Sequence, residues 1–133
     1  MTMRFRREQH LRRQSDIRAA REDGSRLDCR AYTIWWRRRP DRESAASPLP
    51  AALPRVGVVA SRAAVGGAVR RNRAKRRLRE IFRRNQHLLP PDCDLLLIAR
   101  SGVIQRPFPE LEEKFAESCR KLSASGWSKG QHE

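Results

Sequence analysis

A chain of 133 residues is about one domain long, enough for a single core between layers of secondary structure. A hydrophobic content of 38% and a mean hydropathy of −0.79 keep that core small, and a net charge of +15 makes folding self-repulsive unless a polyanion neutralises it, which points first to nucleic acid. Cys29, Cys93 and Cys119 are too scattered for a disulfide framework or a CxxC metal site, and His10, His87 and His132 sit in unrelated polar settings, so a reduced intracellular protein without a metal centre of its own is expected.

The N-terminal "MTMRFRREQHLRRQSD" has no apolar stretch after its charges, and no apolar run approaches the roughly eighteen residues of a membrane span, so neither secretion nor membrane insertion is expected. A short helix is predicted from about Ser15, a candidate N-cap, to Glu22, closing at Gly24 in the left-handed conformation. "RAYTIWWRR", Arg30 to Arg38, is aromatic and β-branched and reads as a strand. On it Ala31, Thr33, Trp35 and Arg37 share one face, and Tyr32, Ile34 and Trp36 share the other. Residues 39–54, with four prolines and no periodicity, read as a flexible loop. "RVGVVASR", Arg55 to Arg62, is a second strand, and "AAVGGAV" is a turn into a basic helix that ends near Asn85. "DLLLIAR", Asp94 to Arg100, has the continuous apolar run of a strand buried on both faces. The last helix follows "PFPELEEKF", with Leu111, Phe115, Cys119 and Leu122 spaced to pack on the sheet and Gly126 beyond its end.

The basic helix, "AVRRNRAKRRLREIFRR", is the most informative stretch. Between Arg70 and Arg84 nine of fifteen residues are basic, yet Ala74, Leu78, Ile81, Phe82 and Asn85 fall on one stripe when residues are stepped by about 100°. A disordered tail has no use for that stripe, and a membrane-surface helix would have to take it from the core without a Trp to anchor it. Asn72, Arg73, Arg76, Arg79, Glu80 and Arg83 form the opposite face, while Arg71 and Lys75 flank the stripe. Like charges three and four residues apart destabilise a helix, so an external anion is expected. Charge elsewhere agrees: residues 108–133 hold four basic against five acidic residues, which places the polyanion on the first two-thirds of the chain.

The segment "RVGVVASRAAVGGAVRRNRAKRRLREIF" resembles the signature of the bacterial ribonuclease P protein subunit, in which an R-x-G strand and a turn precede R-N-R-x-K-R-x-x-R-E on a helix. Here the motif is Arg71, Asn72, Arg73, Lys75, Arg76, Arg79 and Glu80, and the resemblance extends through "LRRQSDI" and "LPPDCDLLLIARSGV" to span roughly residues 10–122. It implies an α+β fold: a small two-layer α–β sandwich in helix-strand-strand-(strand)-helix-strand-helix order, with the left-handed crossover of the ribosomal protein S5 domain 2-like fold. One RNA-binding domain over residues 1–125 with a disordered 126–133 tail is expected. The implied role is to bind the catalytic RNA of ribonuclease P and the 5′ leader of precursor tRNA in the cytoplasm, needing no protein partner, with Mg²⁺ held by the RNA. The runner-up is a structural RNA-binding protein of ribosomal type.

The resemblance implies two RNA surfaces, a helix for the catalytic RNA, with Arg70, Arg73, Arg76, Arg77 and Arg79 as candidate contacts, and a leader cleft between the first helix and the sheet, with Ile17, Arg21, Thr33, Trp35, Arg71, Asn72 and Lys75. Trp35 is the candidate base platform, with ordinary packing as the competing account. Where relatives commonly place two aromatics on the first helix, this chain has Ile17 and Arg21, so recognition there leans on charge. No Ser/His/Asp or Cys/His set suggests catalysis by the protein, and Asp92 and Asp94 are expected to serve turn and capping roles.

Overall fold

The computed structural model describes residues 9–11, 13–22, 24–39 and 53–124; most of the 39–54 loop and the 126–133 tail with Trp127 lie outside them. In chain order the described elements are α1 (Gln14–Glu22), β1 (Ser25–Asp28), β2 (Tyr32–Arg38), β3 (Arg55–Val59), α2 (Arg62–Val65), α3 (Ala68–Asn85), a 3₁₀ turn (Gln86–Leu88), β4 (Cys93–Ala99), α4 (Gly102–Gln105) and α5 (Phe108–Ala124). The sheet runs β1-β2-β4-β3, antiparallel except for the parallel β3–β4 pair that brackets α2 and α3. No described helix is long and apolar enough to cross a membrane.

The alternation in "YTIWW" settles the main core. Tyr32, Ile34 and Trp36 point into it beside Leu95 and Leu97 of β4 and Val56 of β3. The stripe of α3 closes over them: Ala74, Leu78, Ile81 and Phe82 are fully buried, and each large side chain there contributes about 1.5–3 kcal/mol of apolar transfer. Leu111, Phe115, Cys119 and Leu122 of α5 complete the cluster, and the Tyr32 hydroxyl donates to the Leu111 carbonyl at 3.1 Å. Asn85, the polar end of the stripe, donates from Nδ2 to Ile81 O at 2.9 Å and to Glu112 Oε2 at 3.0 Å, which ties α3 to α5.

The central strand β4 is apolar on both faces and needs cover on both. On the second face Leu11 packs against Gly57 and Leu96, and the Leu11 amide donates to Val56 O at 2.8 Å, capping the β3 edge. The α1 helix lies on this same face, against β2 and β4, so the sheet has helices on both sides and the two-layer expectation gains a third layer. Two local readings are corrected. Helix α1 begins at Gln14, one residue before Ser15, so Ser15 is a helical residue and not the N-cap. Gly24 keeps a negative-side backbone; it is glycine because a Cβ would lie 2.2 Å from Ala20 O and 2.4 Å from Trp36 O. The left-handed glycine is Gly66, φ 116°, which turns the chain from α2 into α3.

Candidate nucleic-acid interface

The outer face of α3 is a sheet of guanidinium groups. Asn72, Arg76, Arg79, Glu80 and Arg83 line a depression of about 310 Å³. Arg73, Arg76 and Arg79 have no ion-pair partner among the described residues, and the first turn of α3 has no acidic residue to offset them. Glu80 is taken by Arg83, whose Nε donates to Oε1 at 2.9 Å while its Nη2 reaches Oε2; that hydrogen bonding holds the Glu80 carboxyl below its usual range. A surface of this kind attracts phosphates and binds them with strong salt dependence.

The second face of the sheet carries a different set. Strand register places Arg26, Trp35, Leu96 and Gly57 in one row, Asp28, Thr33, Ile98 and Val59 in the next, and Arg37, Asp94 and Arg55 in the row on the other side. Above the Trp35 row, the Arg21 guanidinium of α1 lies 5.8 Å from the Trp35 ring centroid. Trp35 is half-buried, Ile17 is half-buried and Arg21 is exposed, so an apolar ring with cationic neighbours opens to solvent between helix and sheet. An aromatic plane in a basic groove is the arrangement that holds single-stranded nucleic acid. Beneath it Asp94 is wholly buried among Arg37, Arg39 and Arg55, a charge cluster in place of the turn and capping role expected for it. Asp92 does take part at the strand's start, where its side chain pairs with Arg38 and its carbonyl accepts the Arg39 amide.

The family model for Ribonuclease P matches residues 5–123. The chain belongs to the ribonuclease P protein family. Among curated relatives, the ribonuclease P protein component of Pseudomonas putida is 40% identical over 72 residues, covering 54% of this chain and 53% of that one, and that of Idiomarina loihiensis is 37% identical over 78 residues, covering 59% and 62%. The chain thus spans little more than half the length of the curated relatives it matches. Among solved structures, the RNase P protein from Thermotoga maritima superposes with a TM-score of 0.67 at 27% identity, covering 84% of this chain and 96% of that one. The Staphylococcus aureus RNase P protein, at 20% identity, shares the fold with a TM-score of 0.67 over 86% and 94%.

The residues picked from sequence are not all brought together. Arg21 and Trp35 come together between α1 and the sheet, with half-buried Ile17 on the same helix, and Arg76 and Arg79 come together in the outer depression of α3, with Arg73 exposed on that helix. Arg71 and Lys75 are half-buried beside the α3 stripe, and the Arg71 Nε is buried without a partner among the described residues. The remaining residues are used otherwise. Arg77 does not point outward: its Nη1 donates to the carbonyls of Val103 at 2.6 Å and Arg106 at 2.9 Å, clamping α4 and the turn after it. Arg70, though exposed, donates from Nε to Val65 O at 2.7 Å. Asn72 sides with Arg76 and Arg79 in the outer depression, as its place on the polar face of the wheel implies, and not with the cleft group. Thr33 is buried, and its hydroxyl accepts from Arg100 Nη2 at 3.1 Å. Sequence reasoning missed Arg26 and Arg100, which pair with Asp28 beside Trp35; the alternation in "SRLD" was the only signal. The Asp28 carboxyl is held below its usual range chiefly by the Arg30 amide, with Arg100 and Arg26 adding to it.

Proposed function

We propose that this chain is the protein subunit of ribonuclease P, binding the catalytic RNA through α3 and the 5′ leader of precursor tRNA in the α1–sheet cleft. In this reading it assists endonucleolytic removal of the leader in the cytoplasm. The observation that carries the reading is the pairing of a fully packed apolar stripe with an outer face of unmatched arginines on one helix, within a chain matched by the family over residues 5–123. A helix so charged is complete only against a polyanion. The left-handed sense of the β3–α3–β4 crossover belongs to the same proposal.

Hydrolysis in this reading belongs to RNA-held Mg²⁺. On the protein side Asp28, Glu80, Asp94 and Glu112 each lie against an arginine. The protein's part is to place RNA. Arg21 and Trp35 offer a base a cation and a ring, and each stacked base is worth about 1–3 kcal/mol. The test for the helix is a salt titration of assembly with the cognate catalytic RNA. Replacing Arg73 and Arg76 together by Ala should weaken assembly and flatten the log K against log salt slope by about 0.7–0.9 per lost phosphate contact. An unchanged slope would remove α3 from the interface.

A further inference from the structure

The helix that roofs the cleft has almost no apolar seat. Of the nine residues of α1 only Ala20 is buried, and an alanine contributes little transfer free energy compared with a leucine. Ile17 and Ala19 are half-buried beside it, so the apolar seat is small, and an ion pair adds to it.

Beneath its first turn lies the Asp94 cluster. Arg55 grips Asp94 in a two-pronged bond, Nε to Oδ1 at 2.9 Å and Nη2 to Oδ2 at 2.8 Å, and its remaining nitrogen, Nη1, lies 3.7 Å from Asp16 Oδ2 on α1. Asp94 itself cannot shift. It is wholly buried, Arg39 Nη1 holds Oδ1 at 2.6 Å, and Arg39 is fixed in turn by the carbonyls of Cys93, Leu53 and Pro91. A rigid carboxylate thus aims Arg55, and Arg55 reaches the helix. At the other end Ala20 rests against Gly24, where no Cβ fits.

We propose that the Asp16–Arg55–Asp94 relay is a positioning device that sets the first turn of α1 on the sheet and so keeps Arg21 over Trp35. Asp16 touches no RNA in this account; it acts through the place it gives Arg21. The inference rests on the leader-cleft reading above.

The experiment uses the protein assembled with its catalytic RNA and measures affinity for precursor tRNA carrying a leader and for mature tRNA. Asp16→Asn keeps the size of the side chain and removes its charge. It should weaken precursor binding by about threefold, the scale of one partly exposed ion pair, with mature tRNA and assembly with the catalytic RNA unmoved. Asp16→Glu should restore most of the loss, which a general destabilisation of the fold would not show. Trp35→Ala is the control for the cleft itself. If Trp35→Ala lowers leader-dependent affinity and Asp16→Asn does not, the relay is overturned while the cleft stands. If neither variant moves it, the cleft reading falls and the relay with it.

Discussion

Trp35 and Trp36 are neighbours in sequence and face opposite ways. Trp36 is buried at 2% exposure in the large core, while Trp35 stays half-open beneath Arg21, a difference that follows from the period of two along β2. The cysteines belong to the same core. Cys29, Cys93 and Cys119 are all buried, and burial pushes each thiol up, that of Cys119 to about 12. A thiol that ionises near 9 when unfolded and only higher when folded stabilises the native state below that pH, and the contribution is lost as pH rises from 9 toward 12. The denaturant midpoint should therefore fall as pH rises past 9, and the folded protein should resist a thiol reagent at pH 8 until denaturant is added. Rapid labelling of the native chain would contradict the buried placement.

At the scale of elements, the basic helix was the most legible. Its stripe of Ala74, Leu78, Ile81, Phe82 and Asn85 is readable because large apolar residues stand at helical spacing among arginines, and those five are the residues that α3 buries. The run Leu95 to Leu97 likewise shows a strand covered on both faces, and α5 presents the four core residues its spacing predicts. The first hairpin was not legible. Its turn has no glycine, because Arg30 takes the left-handed backbone at φ 68° with its amide held at 2.8 Å by Asp28, and β1 is only Ser25–Asp28. Nor were the Asp94 cluster and the Arg77 clamp, whose partners lie 26 to 57 positions away in sequence and have no local pattern. Helix α1 supplies the test at this scale. Gly24→Ala would drive a Cβ into the backbone carbonyls of Ala20 and Trp36, so it should cost about 1–3 kcal/mol in denaturant unfolding, and unchanged stability would refute the close contact between α1 and β2.

For the whole molecule, charge and fold divide the labour. The main core holds α3 and α5 on one side of the sheet, α1 and the Leu11 segment cover the other, and the two basic surfaces sit on separate helices. A +15 chain arranged in this way gains from a polyanion that touches both surfaces at once, as a catalytic RNA carrying its substrate would. On α1 the charge lies at Arg21, over the Trp35 ring, and in the proposed reading a single strand would meet that pair. The measurement that bears most directly on the central claim is cleavage of precursor tRNA at low Mg²⁺ by the cognate catalytic RNA, with and without this protein. The account predicts that the protein restores cleavage at the mature 5′ end under conditions where the RNA alone is slow; a rate unchanged by the protein would contradict it.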